Sequence, residues 1–316
     1  MKKEQKIHRI MPGRFGFTLR QFAIMYLIVL MTVLGFQHMQ LQDVKKRQEY
    51  AIQNDIHYDL EIADFLVDSM NGSIRDLFMG MLTREDIFEE GNQDTVIHHL
   101  GTIRSNNTVV NVLYSSSTPG MVYSSNNAWF RTGSGETVMD MMESARERPN
   151  RVQYSSPYYS YMVAGYSVCA AMADSTGTRV VAAELNLGQL YSSLASLLRG
   201  NGRTFFMTDK DNILIMADRN SDQLFFQKGV YPLQLLPEMK QLLEKQGEQE
   251  EVEGSLPHKA NYCYQISSGN ELLWKIVAVY QPDVLYDGLD ESIRRIYLFT
   301  LIVLLLLGLI LLAAVF

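Results

Sequence analysis

The sequence predicts an α+β protein that is held in a membrane by one helix at each end. Three observations predict this architecture: an uncharged apolar run near each end, a long amphipathic helical pattern after the first run, and an order of strand, strand, helix and three strands that occurs twice between the runs. A chain of 316 residues has room for about two domains of ordinary size.

Two apolar runs have the length of a membrane span. Residues 22–36 carry no charge, and the apolar stretch extends back to Gly16 with Arg20 as its one interruption; residues 296–316 are also uncharged. At about 1.5 Å per residue, 20 such residues span roughly 30 Å, the thickness of a bilayer core. The first run has no small-residue cleavage site after it, which favours an uncleaved anchor over a signal peptide.

The charge distribution predicts the orientation in the membrane. Segment 1–21 holds six basic residues against Glu4, and an excess of Lys and Arg marks the cytoplasmic side. Residues 37–295 are therefore expected outside the cytoplasm. The whole chain carries a net charge of −7, so the part after the basic tail is strongly acidic, which argues against nucleic acid as a partner.

A stalk helix is predicted over residues 37–90. Its apolar residues recur at steps of three and four, a period of about 3.6 that gives one apolar face over the whole length: Ile52, Ile56, Leu60, Ala63, Val67, Met70, Ile74, Leu77 and Met81. This face is expected to lie along the rest of the molecule. The alternative, a coiled-coil seam between two copies, prefers a period of 3.5, and the part of the helix near the membrane could serve both contacts.

Two consecutive modules of the same element order follow the stalk. Strand patterns and short amphipathic helices predict a membrane-distal module at 91–200 and a membrane-proximal module at 201–283, with an exit segment at 284–295 that leads to the second span. Because antiparallel strands backed by helices dominate both, each module is α+β.

Four segments of the sequence resemble double Cache (dCache) sensor domains. They are RVVAAELNLGQLYSSL (179–194), TFFMTDKDNILIMA (204–217), LLWKIVAVYQPDVLYDGL (272–289) and VQYSSPYYS (152–160), and the likeness spans residues 37–316. The resemblance implies two tandem PAS-like modules with a ligand in the distal one. It also implies a bacterial receptor of the histidine kinase, chemoreceptor or diguanylate cyclase type.

The resemblance also suggests where a ligand would bind. Amino-acid-sensing members carry Arg-x-Trp-Tyr in the distal module, whereas this chain has Asn127, Trp129 and Phe130 there. Such members also use an Asp for the ligand ammonium, and no Asp appears near Tyr158, Tyr159 and Ser160. With both charge partners of a zwitterion absent, we expect a polar neutral molecule, a sugar or a weak acid rather than an amino acid. The predicted ligand-binding residues are aromatic or polar side chains of this region: Tyr123, Asn127, Trp129, Phe130, Arg131, Tyr154, Tyr158 and Ser160.

No pattern in the sequence indicates catalysis, a cofactor or a metal. His98 and His99 are neighbours that point apart and are expected at the surface. Cys169 and Cys263 each lie in an apolar strand; a disulfide between them is possible outside the cell, but two buried thiols are favoured.

The predicted function is small-molecule sensing by a transmembrane receptor that acts as a homodimer. The sequence stops at Phe316 without the basic flank that usually follows a span, so we expect a cytoplasmic output, a histidine kinase by preference, to be missing from this sequence. The alternative is a membrane-tethered binding or interaction protein without an output of its own.

Overall fold

The computed structural model describes most of the chain in two compact units. One comprises Met1–Asn54 with Tyr286–Phe316, and the other comprises Asp55–Leu285. The residues described are 12–89, 92–106, 109–117, 121–126, 134–160, 165–200, 202–218, 226, 234–246, 251–256, 259–285 and 287–315.

A single helix, α1 (Pro12–Leu82), contains the first apolar run and most of the predicted stalk. Eight of the nine residues of the predicted apolar face are buried or half-buried in the unit that contains the modules. Phe78, on the same helix, is completely buried there as well. The ninth residue, Ile52, lies in the other unit. The helix ends at Leu82, before the predicted limit of 90. It is followed by the short helix α2 (Glu85–Phe88) and by α3 (Gln93–Asn106), which buries Val96 and Leu100.

The distal module is a five-stranded antiparallel sheet with a small added ladder. Its strands are β1 (Val109–Ser115), β2 (Val122–Ser124), β3 (Gln153–Tyr154), β6 (Cys169–Ala173) and β7 (Val180–Leu185), in the order β2-β1-β7-β6-β3. The ladder consists of β4 (Tyr158–Ser160) and β5 (Gly165–Ser167).

The proximal module repeats this strand order. It contains β8 (Arg203–Thr208), β9 (Leu214–Ala217), β10 (Glu251–Leu256), β11 (Lys259–Ser267) and β12 (Lys275–Tyr280), in the order β9-β8-β12-β11-β10. In both modules the last strand in the chain lies at the centre of the sheet. The α+β class with a long N-terminal helix and two antiparallel modules is therefore confirmed.

One helix packs on one face of each sheet. It buries the apolar side chains that the strands project from that face. In the distal module α4 (Ser134–Glu147) packs Val138, Met142 and Ala145 on the sheet. In the proximal module α6 (Pro237–Gln246) packs Met239 and Leu243 on it.

Three further helices complete the chain. The helix α5 (Gly188–Leu198) joins the two modules. The short α7 (Pro282–Leu285) precedes α8 (Asp287–Val315).

The other unit consists of two apolar helical segments that contact each other. By length and composition, segments within Ala23–Leu82 and Glu291–Ile310 are apolar enough to cross a membrane. The Tyr26 hydroxyl donates to the carbonyl of Leu304, and Gln37 Nε2 donates to Thr300 Oγ1 at 2.9 Å. These polar contacts pair the N-terminal half of α1 with α8.

Candidate functional site

A row of three polar or ionisable side chains crosses the distal sheet on the face that α4 covers. Strand pairing places Asn111 of β1 opposite Glu184 of β7, and Glu184 opposite Cys169 of β6. Directly paired residues of antiparallel strands project from the same face. All three side chains are completely buried, and Cys169 belongs to the apolar core under α4.

The Asn111 amide has a defined orientation. Ser125 Oγ accepts the Val112 N–H at 2.9 Å and donates its own proton to Asn111 Oδ1 at 2.8 Å. Ser124 Oγ lies 3.1 Å from the same oxygen. The carbonyl end of the amide is thus occupied, whereas its Nδ2 is buried without a hydrogen-bond partner among the described residues.

The Glu184 carboxyl group is also half satisfied. Its Oε1 accepts a hydrogen bond from Ser160. Its Oε2 and the Tyr158 hydroxyl lie close to each other, but neither makes a hydrogen bond of good geometry in the described part of the chain. Burial raises the pKa of the Tyr158 hydroxyl, and the neighbouring Cys169 and Glu184 raise it further. Burial, with Glu184 as the second cause, likewise raises the pKa of the Cys169 thiol.

This arrangement is suited to recognition. A buried polar atom without a partner costs about 1–3 kcal/mol, and a water or a bound molecule that pairs with it removes this cost. Asn111 Nδ2 offers a donor, Glu184 Oε2 an acceptor and Tyr158 a hydroxyl that can do either. Within the described ranges no group of His, Cys, Asp and Glu is arranged to hold a metal ion.

The structure places the predicted site residues in three groups. Tyr158 and Ser160 border Glu184. Four others lie outside the described residues: Asn127, Trp129, Phe130 and Arg131. Tyr123 and Tyr154 lie on the opposite face of the sheet.

The contacts of Tyr123 and Tyr154 show this separation. Tyr123 is paired with Tyr114, whose ring packs on Phe88 at a centroid distance of 4.9 Å. Tyr154 is paired with Ala170, and its hydroxyl donates to Asn71 Oδ1 of α1 at 2.7 Å. Because alternate residues of a strand project to opposite faces, Tyr123 and Tyr154 lie on the face opposite to Tyr158. The three side chains therefore do not line a single pocket.

Sequence reasoning did not assign Asn111, Glu184 or Cys169 to the site. A usable signal was present, since Asn111 and Glu184 are the polar residues of the otherwise apolar segments VVNVL and VVAAEL. A polar side chain at an inward position of a buried strand requires an explanation. Both Cys169 and Cys263 are free thiols in different modules, so the disulfide is not formed.

The corresponding face of the proximal sheet is mostly apolar, although Thr204, Thr208 and Lys275 also lie on it. Its central strand β12 reads KIVAVY and carries no acidic residue. Val277, Val279 and Tyr264 join the core under α6, and the Tyr264 ring lies so close to Gly254 that a Cβ there would be 2.9 Å from the Tyr264 hydroxyl. A buried acidic residue on the central strand, Glu184, thus distinguishes this face of the distal sheet from that of the proximal one.

An open cleft of about 420 Å³ lies elsewhere, between α1, α2 and α3. It is lined by side chains of mixed character that include Asp76, Met81, Arg84 and His99. None of the unpartnered buried atoms of the described residues lies in this cleft, whereas those of Asn111, Glu184 and Tyr158 cluster at the polar row, which makes the row the stronger candidate.

The fold defines an architecture of two antiparallel α+β modules in tandem behind a long N-terminal helix. No family model and no curated protein matches the chain. Solved structures match its fold. The extracellular domain assigned to the histidine kinase soHK1S-Z6 has a TM-score of 0.51 at 12% identity, covering 76% of this chain and 99% of that one.

Two chemoreceptor domains match equally well. The sensory domain of Campylobacter jejuni Tlp3 (CcmL) has a TM-score of 0.53 at 15% identity, covering 75% of this chain and 95% of that one. The ligand-binding domain of the Pseudomonas aeruginosa PAO1 amino acid chemoreceptor PctB, in complex with L-Arg, has a TM-score of 0.51 at 14% identity, covering 74% and 97%. These neighbours are sensory or ligand-binding domains, and they confirm the resemblance to double Cache domains at the level of the fold.

Proposed function

We propose that this chain senses a small molecule outside the cell through the distal module. The observation that carries the proposal is the buried polar row with Tyr158 beside it: Asn111 Nδ2 has no partner among the described residues, and Glu184 Oε2 and the Tyr158 hydroxyl make no hydrogen bond of good geometry. The apolar helices of the other unit support a membrane location, with the basic N-terminal segment in the cytoplasm. A histidine kinase is the proposed output, as in one of the structural neighbours.

The ligand is proposed to bring a hydrogen-bond donor, such as a protonated amine or a hydroxyl, to Glu184 and an acceptor to Asn111. A carboxyl group buried without a counterion favours a cationic or donating partner. Among the ligands first expected, a weak acid would place a second carboxylate beside Glu184, whereas a polar neutral molecule or a sugar remains compatible. The solved neighbours hold mostly amino acids, among them L-Arg and L-valine, so they lend no support to a preference for sugars or weak acids.

The proposed working form is a homodimer. Tyr58, Phe65 and Met79 of α1 are 61%, 68% and 45% exposed, and Gly72 has open space beyond its Cα. These four residues are spaced by seven, the repeat with which two parallel helices meet. Replacing Phe65 by Cys is expected to yield disulfide-linked dimers, whereas Cys at the exposed Ser73, about 80° around the helix from Phe65, should yield fewer. Equal yields at both positions would exclude a seam along Phe65.

The test of the ligand site is a thermal-shift measurement on the full chain in nanodiscs. The compounds are the 20 standard L-amino acids, simple amines, monosaccharides and short carboxylic acids. At least one compound that carries an amine or hydroxyl donor is expected to raise the melting temperature of the wild type and not that of Glu184→Gln. The matched control is Glu147→Gln, which alters an exposed carboxyl group of α4 in the same module.

Two outcomes would overturn the proposed site. One is that no compound of the four classes stabilises the wild type. The other is that Glu184→Gln keeps the full stabilisation, which would place binding elsewhere. A response confined to carboxylic acids would reject the proposed role of Glu184.

A further inference from the structure

One short segment of the distal module, residues 154–160, contacts both the candidate site and the stalk. At its C-terminal end, Ser160 donates a hydrogen bond to Glu184. Near its N-terminal end, Ser155 holds the backbone of Cys169 twice: Ser155 N–H donates to the Cys169 carbonyl at 2.8 Å, and Cys169 N–H donates to Ser155 Oγ at 3.0 Å. Two strands that carry site residues are therefore attached to this segment.

The first residue of the segment is attached on the other side of the sheet. The Tyr154 hydroxyl donates to Asn71 Oδ1 of α1, and Asn71 Nδ2 donates to Glu271 Oε2 of the proximal module, both at 2.7 Å. The Tyr154 ring also meets Trp274 edge to face at a centroid distance of 6.0 Å. Because Asn71 is only 7% exposed and both ends of its amide are used, it joins the distal sheet, α1 and the proximal module.

The loop that contains Glu271 is firmly bonded to α1. The Asp64 carboxylate accepts hydrogen bonds from Asn270 Nδ2 at 2.6 Å, from the Gly269 N–H at 3.2 Å and from the Ser267 hydroxyl. One turn further along the helix, Asp68 Oδ1 accepts the Glu271 N–H at 2.7 Å. A displacement of the loop and a displacement of α1 are therefore linked.

We propose that residues 154–160 couple the distal site to α1 and to the proximal module, with Asn71 as the residue through which the coupling passes. This inference rests on the proposed function for its physiological meaning, since α1 also contains the N-terminal apolar span. A change at Glu184 moves Ser160 and the Ser155–Cys169 contacts, and through Tyr154 it alters the Asn71–Glu271 contact. By thermodynamic reciprocity, a change at Glu271 alters the distal site to the same extent.

The experiment measures this reciprocal effect without any ligand. Cys169 and Cys263 are the two cysteines of the chain, so a Cys263→Ser background leaves the buried Cys169 thiol as the one target of a maleimide reagent. The full chain in nanodiscs is labelled, and the rate reports how often the distal site opens. Glu271→Ala, which substitutes a residue of the proximal module and removes its hydrogen bond from Asn71, is expected to raise the rate about fivefold, the effect of losing one hydrogen bond.

A double-mutant cycle identifies the path. In the Tyr154→Phe background, Glu271→Ala is expected to have less than about half of its effect on the logarithm of the rate, because the two residues act through one amide. The controls are Glu244→Ala, an exposed acid on α6, and Tyr159→Phe, an exposed tyrosine of the same segment. Neither control is expected to change the labelling rate.

The reverse direction supplies a second measurement that does not depend on thiol labelling. Glu184→Gln is expected to change hydrogen exchange in the peptide that contains residues 268–274. Equal labelling rates for Glu271→Ala and the wild type, or independent effects of Glu271→Ala and Tyr154→Phe, would overturn the coupling. Because neither readout uses a ligand, failure here leaves the thermal-shift test of the ligand site intact, and failure of that test leaves the coupling measurable.

Discussion

Replacing Arg146 by Met is expected to loosen α4 from the sheet that carries the polar row. Arg146 Nη1 donates to the carbonyls of Gly177 and Thr178 at 2.9 and 2.8 Å, and Nη2 donates to Ser115 Oγ at 2.6 Å. Gly177 has a φ of +71°, and a Cβ there would lie 3.1 Å from the Arg146 carbonyl, so helix and hairpin are in close contact. Met keeps most of the aliphatic packing and removes the three donors.

The magnitude follows from these contacts. Hydrogen bonds from a charged donor contribute about 1.5–3 kcal/mol each when buried. The Arg146 side chain is 30% exposed, so water replaces part of what is lost. A total of about 2 kcal/mol is therefore expected, which corresponds to an increase of about 30-fold in the population of the open distal module.

The assay is again maleimide labelling of Cys169 in the Cys263→Ser background, because Cys169 lies in the core under α4. Arg148→Met is the matched control, since Arg148 is exposed just beyond the end of α4. A labelling rate for Arg146→Met within twofold of that of the parent would refute the reasoning, because it would show that the three hydrogen bonds do not hold α4 in place.

Two further predictions concern the stalk and the apolar helices. Burial raises the pKa of Asp64 above its ordinary value of 3.8, although hydrogen bonds from Ser267, Asn270 and Gly269 oppose the shift. The folded state thus holds the proton more tightly, and stability falls as the pH rises from 3.8 through the raised folded-state pKa. Urea titrations across this window should show a smaller fall for Asp64→Asn than for the wild type, and equal slopes would contradict the assignment. For Gly308→Leu, a Cβ would meet the Tyr26 hydroxyl at 2.6 Å, so the two apolar helices should separate. Disulfide formation between Cys residues placed at 37 and 300 should drop at least about threefold, since packing between small residues and close neighbours drives such pairs; an unchanged yield would show that the helices meet elsewhere.

The candidate site was only partly predictable from the sequence. Tyr158 and Ser160 were proposed from an aromatic and hydroxyl-rich segment, and both lie beside Glu184. Tyr154, four residues earlier, has the same composition around it but is directed to the other face and bonded to Asn71. The Ser155–Ser156–Pro157 stretch separates a strand of the main sheet from one of the added ladder, and no local pattern shows that change of sheet.

Local periodicity determined the α+β class, the two apolar helices, the amphipathic face of the stalk and the twofold order of strands. Periods of 2 and 3.6 express which residues of one element share a face, and that information lies within a few consecutive residues. The polar row, in contrast, joins Asn111, Cys169 and Glu184, which are 15 to 73 positions apart. Only the tertiary structure decided their meeting, because cross-strand register depends on how distant strands align.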